Sequence, residues 1–123
     1  MFFEYFSSFI IDDLGSHYNR IERNYHPTNE IGFETDFAIL DNEKLPIYIM
    51  GIKSDLQASR ATSFCFRMAN EAGNHISIAV HEDPYALSKR DRDALTNAVY
   101  KQYTSLNDFK TSGNMFITKS IAS

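Results

Sequence analysis

Tryptophan is absent from the 123-residue chain, and cysteine occurs once, as Cys65. A lone thiol can make neither an intrachain disulfide nor a thiolate metal cluster. Prolines (3) and glycines (5) sit singly, with no repeat, linker or low-complexity tract between them. The scattered glycines give neither a phosphate-binding loop nor a dinucleotide fingerprint. No stretch approaches the ~18 consecutive apolar residues that a membrane span requires. The opening Met1-Phe2-Phe3-Glu4 lacks the basic flank of a secretory signal and soon meets Asp12 and Asp13. The expected compartment is therefore the reducing cytoplasm, with no membrane contact.

What the chain does contain is globular in proportion: 43% hydrophobic, 23% charged and 14% aromatic residues. That mass of 14.1 kDa suits one core, so residues 1–123 are read as a single domain. The net charge is −4, and it is unevenly spread. Met1 to Asp55 carries 4 basic and 10 acidic residues, whereas the remainder carries 8 and 6. Such a balance disfavours general affinity for duplex nucleic acid, which is gripped by a basic excess.

Apolar spacing organises the chain. Phe2, Phe3, Phe6, Phe9, Ile10 and Leu14 recur at helical intervals, and Gly15 follows where a left-handed cap would close the helix. The segment around Tyr18 to Arg23 is read as a short strand. Phe33 to Leu40 and Leu45 to Ile52 are apolar runs separated by Asp41-Asn42-Glu43-Lys44, the pattern of an antiparallel hairpin. Ala58, Ala61, Cys65, Met68 and Ala72 mark a helix face closed at Gly73-Asn74. Ile76, Ile78 and Val80 then alternate within a buried strand. Ser88, with Asp91 three residues later, opens a last long helix whose inward face includes Leu95, Val99 and Tyr103. A turn at Ser112-Gly113-Asn114 leads to a weak edge strand, Met115 to Thr118. The sum is an α/β (α+β) fold, a mixed central sheet with flanking helices in the order α-β-β-β-α-β-α.

That order resembles the core of the PD-(D/E)XK nucleases, a restriction-endonuclease-like fold. The resemblance points to Asp36 early in the second strand and to Lys53 in Met50-Gly51-Ile52-Lys53. In active members it implies that such an aspartate and a Glu-x-Lys or Asp-x-Lys pair meet at one sheet end. There the carboxylates hold Mg²⁺ and the lysine activates water. This sequence departs from the pattern at Gly51, where the second carboxylate belongs. Glu34, on the Asp36 face, and Glu22, on the first strand, are the candidate substitutes. Without them Asp36 stands alone as a metal ligand, and no cofactor is expected. From about Gly32 to Phe109 the chain also resembles an uncharacterised bacterial and phage domain of unknown function. That likeness rests on Phe33-Glu34-Thr35-Asp36-Phe37-Ala38-Ile39, on the Phe64 helix and on Ile76 to Asp83. It implies a degenerate nuclease-like core in a phage or prophage setting.

Other residues invite plainer readings. His75 and His81 bracket one strand roughly 20 Å apart at ~3.3 Å per residue, too far for one zinc ion; surface or strand-end histidines are expected. Cys65, between Phe64 and Phe66, reads as a core thiol. Lys89, Arg90 and Arg92, together with Lys101, form a candidate nucleic-acid face, although Asp91 and Asp93 dilute it. Phe2, Phe3 and Phe6 crowd one short helix. Either the sheet covers them all or the excess forms an interface, favoured as a homodimer contact. The leading expectation is a non-enzymatic protein-binding domain that acts on a host factor, for example as an inhibitor. Against it stand a Mg²⁺-dependent nuclease using Asp36, Lys53 and Glu34, and a catalytically dead nucleic-acid-binding relative.

Overall fold

A computed structural model describes residues 1–28, 33–71 and 73–122. Gly32, where the resembling stretch begins, and Ala72, expected on a helix face, lie outside the described residues. The elements are α1 (Phe2–Ser8), β1 (Ile21–Tyr25), β2 (Thr35–Ile39), β3 (Ile47–Ile52) and α2 (Asp55–Glu71). They are followed by β4 (Ile76–His81), α3 (Lys89–Ala98), β5 (Lys101–Tyr103) and α4 (Leu106–Ala122). The five strands form one mixed sheet in the order β1-β2-β3-β4-β5. β1, β2 and β3 form an antiparallel meander, while β4 runs parallel to β3 and β5 parallel to β4. Parallel neighbours need a crossover connection, which α2 supplies between β3 and β4 and α3 between β4 and β5. Among the described residues no helix is long and apolar enough to cross a membrane.

Strand alternation divides the core in two. Ile47 and Ile49 of β3, with Phe37, Ile39, Ile78 and Val80, face α1 and α4 and pack on Phe6, Ile10, Phe109 and Ile117. Tyr48, Met50 and Ile52, with Ala38 and Ala79, face α2 and α3 and pack on Ala58, Ala61, Phe64 and Leu95. Every residue of β3 and β4 is buried, as strands covered on both faces must be. β1 is an edge strand exposed at Glu22, Arg23 and Asn24, and Asn24 has a left-handed φ of 47°.

Several expectations need correction. Phe2 and Phe6 are core residues, 6% and 1% exposed, and partly buried Phe3 packs on the same cluster. The three rings contact one another and Phe6 meets Phe37. The sheet therefore covers Phe2 and Phe6, while Phe3 stays partly exposed at the edge of the cluster. Gly15 lies in a 3-10 turn, Leu14–Ser16, after a π-helical turn over Phe9–Asp13, so it is no left-handed cap. Gly73 is one, with φ of 74°. The last long helix divides: α3 ends at Ala98 and Tyr103 lies on β5, the true edge strand.

The tail is helical rather than a strand. Ser105 opens α4 by accepting the Asp108 N–H at 3.1 Å, and Phe109, Gly113 and Ile117 fall four apart on its buried face. Gly113 resembles a turn residue because glycine weakens a helix by about 1 kcal/mol relative to alanine. Here a Cβ would stand 2.5 Å from the Phe109 ring, so glycine lets that ring lie against the helix backbone.

Candidate functional site

The site indicated by the nuclease resemblance lies where β2 parts from β3. Their ladder runs from Ile39 opposite Ile47 to Phe37 opposite Ile49. Beyond that, side chains replace backbone partners. Thr35 Oγ1 donates to the Ile49 carbonyl at 3.2 Å, and the Gly51 N–H donates to Asp36 Oδ2 at 2.8 Å. Polar backbone groups at a buried strand end must find partners, and residues 35 and 36 supply them. Burial raises the pKa of Asp36 above the ordinary aspartate range and the nearby Glu34 charge adds to this, while the Gly51 hydrogen bond opposes both.

Asp36 lines a cleft of about 100 Å³ with Glu34, Gln57 and Arg60, above Met50 and Ile52. Glu34 pairs with His26 Nε2 at 3.2 Å. Gln57 Oε1 accepts the Ser54 N–H at 2.8 Å and the Lys53 N–H at 3.2 Å, closing the first turn of α2. Lys53 itself is exposed and does not line the cleft. The structure thus brings Asp36 and Glu34 together and adds Gln57 and Arg60, which the sequence reading did not single out. Arg60 sits outward on α2, a helix placed by its alanines, so only the tertiary crossover delivers it to Asp36.

Position 51 has a steric explanation. A Cβ on Gly51 would meet Phe3 Cε1 at 2.9 Å and two Phe6 ring carbons at 3.1 Å. A glutamate or aspartate there would have to displace core phenylalanines. Glu22, the other substitute, is exposed on the β1 edge opposite Ala38. With one Asp36 oxygen committed to Gly51 and Glu34 Oε2 paired with His26, one oxygen of each carboxyl group is left at the cleft. Among the described residues no group of three or more histidine, cysteine, aspartate or glutamate side chains is arranged to hold a metal ion. The carboxylate expected at position 51 is missing, and Glu34, its candidate substitute, shares the cleft with Asp36.

The remaining candidates disperse. Lys89 pairs with Asp93 at 2.8 Å, Arg92 lies 5.5 Å over the Tyr85 ring, and Arg90 is exposed. Lys101 stands over Tyr103 and Phe116, two residues of the α1/α4 layer. α3 packs in the opposite layer, so these four cations form no single face.

His81 ends β4, as the strand-end reading expected, and is buried, 1% exposed, with Nε2 donating to Gln102 Oε1 at 2.7 Å. It sits on the α2/α3 face because its strand alternates with Ser77 and Ala79. Burial pushes the Cys65 thiol up, countered by a Ser77 hydrogen bond, which suits a core cysteine. Comparison with protein-family models, curated proteins and solved structures finds no match to this chain.

Proposed function

We propose that this chain is a non-enzymatic protein-interaction domain built on a nuclease-like core whose hydrolytic site is closed. The observation that carries the reading is the contact of Phe3 and Phe6 with Gly51. Two aromatic rings fill the space that any side chain at position 51 would need, so the second carboxylate of the PD-(D/E)XK pattern has no room at that residue. Asp36 supports the reading too, because it serves as a backbone acceptor for Gly51 and burial favours its neutral form. A water-activating lysine must reach the reacting atoms, and Lys53 does not line the Asp36 cleft. Binding suits a small acidic domain that departs from the nuclease pattern at this residue, and the prophage resemblance makes a host protein the expected partner.

The test is supercoiled plasmid incubated with purified protein in Mg²⁺ or Mn²⁺. The expected result is intact plasmid. Cleavage by the native chain that disappears in Asp36→Ala would overturn the reading and restore the nuclease.

A further inference from the structure

Next to the Asp36 cleft, and sharing Glu34 and Arg60 with it, lies a larger cavity of about 360 Å³. Its size reaches the range of small-molecule sites. One wall is the outer surface of α2, which presents Ser59, Arg60, Ser63 and Arg67. The floor is apolar, Phe33 against Phe64 with ring centroids 5.0 Å apart. The Arg67 guanidinium lies 4.8 Å over the Phe33 ring, so it is held at the cavity rather than swung into solvent. Helical spacing gathers these donors. Ser63 is three residues after Arg60 and four before Arg67, one turn from each, and Ser59 is one turn before Ser63. Two guanidinium groups and two hydroxyls thus line one wall of the cavity, beside an apolar floor.

The opposite rim has the other polarity. Its carboxyl groups are Glu34, whose Oε2 is paired with His26, and, in the adjoining cleft, Asp36. A ligand matching both walls carries an anion at one end and neutral donors at the other. A carboxylate has two oxygens for these donors, whereas a phosphate monoester has three strong acceptor oxygens and near-double charge. Arginine forks suit it geometrically. The donor end must not be a second anion, because the Glu34 carboxylate would repel it. A polynucleotide fits poorly, since the whole chain carries −4 and binding along a phosphate backbone needs many cations. We infer that this cavity binds a phosphorylated polyol of sugar-phosphate size, its phosphate over Ser63 between Arg60 and Arg67 and its hydroxyls on Glu34 and Asp36. The inference goes beyond the protein-interaction reading and does not depend on it, because none of its phosphate contacts comes from the closed end of β3.

The test is amide NMR titration of the full chain with ribose 5-phosphate, beside unphosphorylated ribose, inorganic phosphate, glutamate and a short single-stranded oligonucleotide. The expected result is saturable shifts confined to α2 and the start of β2 with ribose 5-phosphate. Ribose should leave the spectrum unchanged, and inorganic phosphate should bind at least tenfold more weakly. Arg60→Gln and Ser63→Ala replace exposed side chains, so both should keep the native spectrum while weakening ribose 5-phosphate tenfold or more. Absence of saturable shifts at millimolar ribose 5-phosphate would overturn the inference. So would tighter binding of glutamate or the oligonucleotide, inorganic phosphate binding as tightly as the sugar phosphate, or Arg60→Gln titrating like the native chain.

Discussion

Phenylalanine covers one face of the sheet, and alanine brings the helices down on the other. On the α1/α4 face Phe2, Phe6, Phe9, Phe37 and Phe109 are all buried, joined by Tyr103. On the α2/α3 face Ala38, Ala58, Ala61 and Ala79 line the contact, with Phe33, Phe64 and Tyr48 as the large rings. Large rings fill space to the end of a strand, and at Gly51 they leave none for a Cβ. Small residues let a helix approach closely, and its outward side chains then stand beside the strand ends. The polar cleft of Asp36, Gln57 and Arg60 forms on that second face. One face spends its surface on stability while the other has polar groups to spare for ligands.

The sharpest way to break this comparison is Phe6→Ala. Phe6 is 1% exposed, and removing a buried ring of that kind costs about 3–5 kcal/mol. Urea denaturation should show that loss; a change below about 1 kcal/mol would mean the aromatic face is not the stabilising one.

Overpacking separates the faces next. Gly51→Ala puts a methyl group into the Phe3 and Phe6 rings, and Ala58→Leu enlarges a fully buried residue beneath α2. Each should cost about 1–3 kcal/mol by urea denaturation. The two differ in coupling. Gly51→Ala combined with Phe6→Ala should be less destabilising than the sum by about 0.5–3 kcal/mol, since removing the ring frees the space. Ala58→Leu combined with Phe6→Ala, on opposite faces, should add. Additive costs in both pairs would refute the steric account of Gly51.

A smaller effect tests the anchoring of α3. Ser88 caps this helix by accepting the Asp91 N–H at 3.2 Å, and its own N–H donates to Asp55 Oδ1 at 2.9 Å, tying α3 to the start of α2. Ser88→Ala keeps the backbone link and removes the cap, so the expected loss is about 1 kcal/mol. Hydrogen exchange should quicken in α3 while α1 and α4 amides are unchanged.

The central strands and α2 were legible because burial on both faces writes a continuous apolar run and because alanines at helical spacing write a stripe. The Ser88 cap was legible as well, being a local signal. Misreadings came from residues whose reason lies across the fold. Gly113 and Gly15 look like chain breakers, yet one accommodates a ring and the other lies in a helical turn. Phe2 and Phe6 look like too many rings for one helix until the sheet and α4 are seen to enclose them. Within the site, Asp36 was visible as a carboxylate on a strand. Its tie to Gly51 and its juxtaposition with Arg60 depend on β2 leaving β3 and on the α2 crossover, which no local spacing encodes.

Asp36 gives the last and smallest test, one of sign. Its pKa is raised in the fold, so the folded state binds more protons than the unfolded chain between the ordinary aspartate value and the raised one. Its contribution to stability is therefore greatest below that window and declines as pH rises through it, the reverse of a carboxylate in a strong ion pair. Asp36→Asn cannot ionise and keeps an oxygen able to accept the Gly51 N–H. The variant should match the native chain below the window and exceed it in stability above, with the gap opening as pH rises. Denaturation midpoints from pH 3 to 8 would show the crossover. If Asp36→Asn is instead the less stable protein at pH 7, ionised Asp36 has a favourable partner in Arg60 and the cleft is a working salt-bridge site. The polar face would then be contributing to stability, and the contrast between the two faces would have to be redrawn.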